Sequence, residues 1–126
     1  MSKANKKILI VEDDKSFLWI LKQSFSDEGF SVSFAEDGEE GLKMVEKEKP
    51  DLILLDIMLP KMDGIKVAEK LKEKGDTTKI IFLTNLKDTE HIIQAVEKSK
   101  EIDYIIKSDM DVAQIIERVK QRLRIE

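Results

Sequence analysis

The sequence predicts an α/β domain in which a five-stranded parallel sheet is covered by helices on both faces. Five short apolar runs rich in β-branched residues alternate with longer segments whose apolar residues recur at helical spacing. No Pro/Gly/Ser-rich linker, internal repeat or low-complexity stretch interrupts this alternation over the 126 residues. A chain of this length is enough to bury a single core, so we expect one domain over residues 1–126.

The predicted strands are short, and the central ones are almost wholly apolar, which is typical of strands buried on both faces of a parallel sheet. Strands that alternate with helices are joined by right-handed crossovers, and the economical arrangement is a doubly wound sheet of flavodoxin-like order 2-1-3-4-5. The first and third strands are then neighbours. The predicted strands are Lys7–Val11, Phe30–Ala35, Asp51–Leu55, Lys79–Leu83 and Asp103–Ile106.

Five helices are predicted between and after these strands. Glu40 follows Asp37 by three residues, which is typical of a capped helix start, and Asp14, Asp88 and Ser108 are further candidate caps. Residues that share one helical face are Leu18, Leu21 and Phe25 in the first helix, Leu42 and Val45 in the second, Ile65, Ala68 and Leu71 in the third, Ile92, Ala95 and Val96 in the fourth, and Val112, Ile115, Ile116, Val119 and Leu123 in the fifth.

The composition argues against several classes of function. Lys and Arg number 22 against 26 Asp and Glu, a net charge of −4, so direct binding of nucleic acid is not expected. The absence of cysteine excludes disulfides and thiolate metal sites. The first residues lack the apolar core of a signal peptide, and the apolar runs are too short to span a bilayer. We therefore expect a cytoplasmic protein with no membrane contact.

Acidic residues close two predicted strands that would be neighbours. Asp56 ends the apolar run of the third strand, where burial favours another hydrophobic residue, and Glu12 and Asp13 follow the first strand. The carboxyl ends of parallel strands meet at one edge of the sheet, where open α/β sheets place their ligand sites. Clustered carboxylates repel one another, and oxygen ligands without His or Cys suit Mg²⁺. The sequence therefore predicts a magnesium site at this edge.

Two further strands end in residues suited to phosphoryl chemistry, since Thr84 follows the fourth strand and Lys107 the fifth. A hydroxyl and an ammonium beside a metal-bound carboxylate can stabilise charge on a transferring phosphoryl group. The carboxylate can itself be the nucleophile, as in enzymes that form an aspartyl phosphate. Asp56 is thus a candidate phosphoryl acceptor; taken alone, a carboxylate that caps nearby backbone amides is an equally good interpretation.

Four stretches resemble, in order, the receiver domains of two-component response regulators. The resemblance runs from about Lys7 to the carboxyl terminus and implies a signalling switch rather than an enzyme. In that switch Asp56 would accept a phosphoryl group from the phosphohistidine of a histidine kinase, and the domain would also take part in its own dephosphorylation. The four stretches are Ile8–Asp13, Leu54–Gly64, Phe82–Thr84 and Asp103–Lys107.

The resemblance also implies a role for each residue around Asp56. Asp13, Asp56 and the Met58 backbone carbonyl would hold Mg²⁺, with Glu12 contributing through a metal-bound water. These four residues form the expected metal site.

Three other residues would respond to the phosphoryl group. Lys107 would pair with one phosphoryl oxygen and Thr84 would turn its hydroxyl to another. Tyr104 would then move inward into the space that Thr84 vacates. The face formed by the fourth helix, the fifth strand and the fifth helix would report this change.

The partners implied are a histidine kinase or histidine phosphotransferase, and a downstream effector protein or an output domain. A dimer through the reporting face is a further expectation, and no output domain is expected within residues 1–126.

The first helix contains the apolar stretch Phe17–Leu21, which one core cannot bury in all directions. Phe17, Trp19 and Ile20 are therefore expected at or near the surface. Exposed apolar clusters often mark partner surfaces, so we interpret these three residues as a candidate docking surface for the kinase or phosphotransferase. Contact with a neighbouring loop or a second subunit is the alternative.

Three residues depart from the usual receiver pattern. Ser108 stands where the family generally has proline, Asn85 where a small residue is usual, and Lys100 where a glycine commonly ends the fourth helix. They leave open how Lys107 is aimed, how donors reach the site and how typical the output face is.

Other interpretations stay open at this point. A phosphohydrolase that works through an aspartyl phosphate usually has a second Asp two residues after the nucleophile, a position held here by Met58. A flavin-binding module would need donors where the first loop is acidic. A receiver-like module that binds partners without phosphorylation would not need the complete set of site residues.

Overall fold

The chain forms one five-stranded parallel sheet in a computed structural model that describes residues 6–85 and 102–125. The strand order, β2-β1-β3-β4-β5, confirms the predicted doubly wound topology. The elements are β1 (Lys7–Val11), α1 (Lys15–Asp27), β2 (Ser31–Ala35), α2 (Gly38–Glu48), β3 (Leu52–Asp56), α3 (Gly64–Glu73), β4 (Lys79–Thr84), β5 (Ile102–Ile106), a 3₁₀ turn (Lys107–Asp109) and α4 (Val112–Leu123).

Every predicted strand is confirmed to within one residue at each end. Two of the shifts bear on function, because β3 extends to include Asp56 and β4 extends to include Thr84. The register pairs Asp56 with Leu83 and Thr84 with Ile106. Both polar residues are therefore held in the ladder itself rather than in the loops beyond it.

The fourth predicted helix, built on Ile92, Ala95 and Val96, lies outside the described residues. The same is true of the candidate cap Asp88 and of Lys100.

The sheet separates two apolar clusters, because successive strand residues point to opposite faces. Ile8 and Ile10 pack with residues of α1 and α4 on one face, and Leu9 and Val11 pack with residues of α2 and α3 on the other. Fully burying such a side chain contributes about 1.5–3 kcal/mol. The predicted helix faces are confirmed wherever they are described: Leu18, Leu21, Phe25, Val45, Ala68, Leu71, Ile115, Ile116, Val119 and Leu123 are buried, and Leu42, Ile65 and Val112 pack against the clusters partly buried.

Aspartate side chains cap the four described α-helices and contribute about 1 kcal/mol each. The prediction that Ser108 caps the last helix is wrong, because the chain first makes the 3₁₀ turn that contains Ser108. The cap lies three residues later, where Asp111 and Gln114 form a reciprocal capping box. The caps are Asp14, Asp37, Asp63 and Asp111, each accepting at least one hydrogen bond from a backbone N–H of the first turn.

The loop after β3 returns closely to the strand it leaves. The N–H of Gly64 donates to the carbonyl oxygen of Ile57 over 2.9 Å, and a Cβ on Gly64 would lie 2.2 Å from the carbonyl oxygen of Asp56. A side chain at this position would push on the backbone that holds Asp56. Glycine at the start of α3 is therefore part of what positions Asp56.

None of the helices in ranges 6–85 and 102–125 is long and apolar enough to cross a membrane.

Candidate functional site

Three carboxylates meet at the carboxyl edge of the sheet. Oxygen atoms of Glu12, Asp13 and Asp56 lie within 4.8 Å of one another. The register explains this, because β1 and β3 are neighbours and Val11 pairs with Leu55, so that the residues after them lie side by side. Glu12 and Asp56 are buried, whereas Asp13 is exposed. The predicted juxtaposition of acidic residues is therefore present.

Glu12 is fully buried, and both of its oxygens accept hydrogen bonds. Oε2 accepts from the backbone N–H of Asp14 over 3.0 Å, and Oε1 accepts from the ammonium of Lys107 over 2.5 Å. Burial raises the pKa of Glu12 above its ordinary value, although the hydrogen bond from Lys107 acts in the opposite direction. Both carboxylate oxygens of Glu12 are thus fixed by hydrogen bonds within the protein.

Asp56 has one oxygen tied to the backbone and one facing a cation. The N–H of Met58 donates to Oδ1 over 3.2 Å, and the ammonium of Lys107 donates to Oδ2, also over 3.2 Å. The amide contact agrees with the capping interpretation of Asp56. The ammonium contact and the neighbouring carboxylates go beyond it, because capping one amide requires neither.

Lys107 extends from the end of β5 to both buried carboxylates. Its side chain is only 13% exposed. Burial acts to lower the pKa of Lys107, but the hydrogen bond to Glu12 and the charges of Asp56 and Glu12 outweigh it, so the pKa is raised. Lys107 is therefore a fixed cation within the acidic cluster.

Thr84 and Tyr104 lie on the neighbouring strands β4 and β5. Thr84 is buried at the end of β4, and Tyr104 on β5 is half-buried opposite Phe82. Alternate residues of a strand share a face, so Thr84, Phe82 and Tyr104 lie on the same face of the sheet. Tyr104 packs against the apolar cluster of that face. The two residues expected to form the switch thus lie on neighbouring strands and on the same face of the sheet.

The three apolar residues of the candidate docking surface differ in exposure. Trp19 is 63% exposed and Ile20 is 46% exposed. Phe17 is half-buried and packs against the apolar cluster beneath α1. Two neighbours of this surface, Lys22 and Phe34, were not predicted from the sequence. The ammonium of Lys22 lies 3.8 Å from the ring centroid of Phe34 and 5.7 Å from that of Trp19. The outer side of α1 therefore presents exposed apolar surface.

Two of the departures from the receiver pattern can be placed. Asn85 is exposed just after β4, and Ser108 is exposed in the 3₁₀ turn that directly follows β5. Lys107 nevertheless contacts the carboxylates of Glu12 and Asp56, so serine at position 108 is compatible with this orientation of the lysine side chain. Met58, beside the cluster, is 63% exposed.

Comparisons with known proteins agree with this geometry. Residues 8–120 match the family model of the response regulator receiver domain. Among similar proteins, the alkaline phosphatase synthesis transcriptional regulatory protein PhoP of Bacillus subtilis is 49% identical over 80 residues, and the transcriptional regulatory protein DltR of Streptococcus agalactiae is 36% identical over 118 residues. The matches cover 64% and 94% of this chain but 33% and 52% of those relatives. The chain thus spans a third to about half of their length.

Solved structures match over nearly the whole chain. A two-component response regulator from Clostridium difficile has a TM-score of 0.85 and 30% identity, covering 95% of this chain and 97% of that one. The response regulator TrrA from Thermotoga maritima, in complex with Mg(2+)-BeF, has a TM-score of 0.80 and 31% identity, covering 93% and 98%. Nothing in the comparisons favours a phosphohydrolase or a non-phosphorylated binding module. The chain belongs to the receiver domains of two-component response regulators, the phosphoacceptor switches of those systems.

Proposed function

We propose that Asp56 is the residue on which this receiver domain accepts the phosphoryl group. The main support is its position, since the carboxylate ends the central strand β3, lies with those of Glu12 and Asp13, and contacts the ammonium of Lys107. The carboxylates of Glu12 and Asp13 provide a site for a cation, and Lys107 provides a fixed positive charge. Phosphoryl transfer uses both. Asp13 is exposed, so the cluster opens to solvent on that side and a donor can approach.

The donor set at this edge fits a hard divalent cation. Its ligand atoms are carboxylate oxygens from three residues, and Mg²⁺ is usually bound by one or two carboxylates with several waters. We assign Asp13, Asp56 and the Met58 carbonyl as direct ligands. Glu12, which is fully buried and makes the shorter of the two contacts with Lys107, would act through a water. The Mg(2+)-BeF complex of TrrA supports the same cation here. When bound, it would neutralise charge on the carboxylates and the phosphoryl oxygens.

The proposed reaction is a transfer from a phosphohistidine to Asp56. A carboxylate oxygen of Asp56 attacks the phosphorus, and the O–P bond forms as the P–N bond breaks. The imidazole keeps the electron pair of that bond and takes up a proton from the solvent. Lys107 donates to a phosphoryl oxygen, and its ammonium needs to move little because it already lies 3.2 Å from Asp56 Oδ2. Thr84 donates its hydroxyl to a second oxygen.

The phosphoryl group would act as a switch by favouring one of two pre-existing arrangements. Thr84 moves toward the new acceptor, and Tyr104, on the same face of the sheet, follows into the space released. The side that reports the change includes β5 and α4, which an ion pair between Asp103 and Arg118 joins over 3.0 Å. A downstream effector, an output domain or a second copy of the chain would read this side.

Intact mass measurement tests the proposed acceptor chemistry directly. The protein is incubated with acetyl phosphate or phosphoramidate, with Mg²⁺ or with EDTA. We expect one phosphoryl adduct that accumulates with Mg²⁺ and is lost or strongly slowed with EDTA. An adduct that forms equally well with EDTA would contradict the metal site, and no adduct under either condition would overturn the proposed function.

The exposed side of α1 is proposed to dock the histidine kinase or phosphotransferase that donates the phosphoryl group. Ile20→Gln removes apolar surface in the middle of α1 without changing the carboxylate cluster. We expect transfer from a phosphorylated phosphotransferase to slow by about tenfold, the loss typical of one contact worth about 1.4 kcal/mol. The measurement is the rate of phosphoryl loss from the donor by rapid quench.

The small phosphodonor supplies the internal control for this variant. Because acetyl phosphate needs no docking surface, its rate with Ile20→Gln should equal the wild-type rate. Equal losses with both donors would show that Ile20 acts on the site or the fold, which would refute the docking proposal.

A further inference from the structure

Lys107 has a third contact besides the two carboxylates, with the ring of Phe17. The ammonium lies 4.9 Å from the ring centroid, within the range of a cation–π interaction. We infer that Phe17 is a positioning residue, whose aromatic face holds the Lys107 ammonium where it meets the phosphoryl group. The inference rests on the proposed function, in which Lys107 contacts that group.

The position of the Phe17 ring is fixed by the start of α1. The carboxylate of Asp14 accepts hydrogen bonds from the N–H groups of Ser16 and Phe17, over 3.0 and 3.2 Å. Asp14 directly follows the ligand Asp13, so the first turn of the helix is tied to the acidic cluster. The ring itself packs against the apolar cluster beneath α1. The position of the aromatic face is therefore fixed by contacts that do not involve Lys107.

The contact matters because the other partners of Lys107 change during the reaction. Phosphorylation turns an acceptor oxygen of Asp56 into part of an aspartyl phosphate, and Lys107 shares its ammonium with a phosphoryl oxygen from then on. A lysine side chain has a flexible four-carbon stem and loses rotamer freedom when it is held in one place. The Phe17 ring neither reacts nor binds the metal, so its contact with the ammonium does not depend on the state of Asp56. It can therefore hold the ammonium throughout the transfer.

This role differs from docking, and the two can be separated. Phe17 is half-buried, whereas Trp19 and Ile20 are exposed. A docking residue affects transfer from a protein donor alone, but a positioning residue affects every donor. The inference therefore predicts that Phe17 variants, unlike Ile20→Gln, are impaired with acetyl phosphate.

The test is a double-mutant cycle between Phe17→Leu and Lys107→Gln, followed by phosphorylation with acetyl phosphate and Mg²⁺. Leucine keeps an apolar side chain of similar bulk but has no aromatic face. We expect Phe17→Leu to lower the maximal phosphorylation rate about tenfold with little change in the concentration of donor at half saturation. Phe17→Tyr, which keeps the ring, should restore most of that rate. In the Lys107→Gln background Phe17→Leu should have no further effect.

A spectroscopic readout shows the contact independently of activity. In proton NMR spectra of the metal-free protein, the ring current of Phe17 should shift the Hε resonances of Lys107 upfield. The shift should vanish in Phe17→Leu and persist in Phe17→Tyr. An unshifted Lys107 in the wild type would overturn the inference.

The kinetic outcomes distinguish the inference from the function on which it rests. If Lys107→Gln is impaired and Phe17→Leu causes the same loss in both backgrounds, Phe17 does not act through Lys107 and the inference fails alone. If Lys107→Gln phosphorylates at the wild-type rate, the assigned role of Lys107 fails, and the inference fails with it.

Discussion

Replacing Asp56 by asparagine is expected to abolish the phosphoryl adduct that the wild type gains from a small phosphodonor and Mg²⁺. The amide has nearly the same shape, and its oxygen can still accept the N–H of Met58, so the loop after β3 should keep its conformation. An amide oxygen is a poor nucleophile, however, and the change removes one of the three carboxyl groups of the cluster. Intact mass should show no adduct under conditions where the wild type is fully modified, and peptide mapping of the wild type should place it on Asp56.

The stability of Asp56→Asn separates loss of chemistry from loss of fold. The negative charge of Asp56 helps raise the pKa of Glu12, so removing that charge relieves repulsion between buried carboxylates. The thermal midpoint should equal or exceed that of the wild type. Asp27→Asn is the matched control, because Asp27 ends α1 and accepts a hydrogen bond from its helix neighbour Gln23. An adduct that survives in Asp56→Asn, or disappears in Asp27→Asn, would contradict the assignment of the acceptor.

The fold was predictable because its signals are local and agree with one another. The strands are short apolar runs between segments of helical period, and this pattern decides both the element type and the buried face. The edge of the sheet at which Glu12, Asp56 and Thr84 meet follows from topology alone, since parallel strands end on the same side. Lys107 was predictable for the same reason.

The contacts within the site were less predictable, because they depend on side-chain directions and loop lengths. Spacing along the chain does not show that Lys107 bonds Glu12 more closely than Asp56, or that its ammonium lies over Phe17. Serine is a common helix cap, so the sequence places the cap of the last helix at Ser108 rather than at Asp111. The local sequence pattern does not predict the 3₁₀ turn that precedes Asp111. The one available signal for Phe17 was its place in the first turn after the acidic residues.

Replacing Lys107 by methionine is expected to destabilise the metal-free protein by about 3 kcal/mol, because removing one member of a buried ion pair leaves the other uncompensated. Glu12 and Asp56 are both buried and both accept a hydrogen bond from this ammonium. For a domain of this size the loss corresponds to a fall of about 10 °C in the thermal midpoint. The raised pKa of Glu12 determines the pH dependence. A carboxyl group whose pKa is raised by folding destabilises the folded state above that pKa, where it is ionised. The loss of stability in Lys107→Met should therefore shrink as the pH falls through the pKa of Glu12.

Magnesium should reverse much of this loss, because the ammonium and the divalent cation neutralise the same carboxylates. At about 100 times its Kd, a ligand of the folded state adds about 2.7 kcal/mol. In the wild type part of that gain is offset by the loss of Lys107 contacts, so Mg²⁺ should raise the midpoint of Lys107→Met more than that of the wild type. Lys74→Met is the matched control. Lys74 forms an ion pair with Glu46 over 2.6 Å, but both side chains are more than half exposed. The thermal midpoint of Lys74→Met should therefore change little. If the two variants lost equal stability, or Mg²⁺ stabilised Lys107→Met no more than the wild type, Lys107 would not be the cation that balances this cluster.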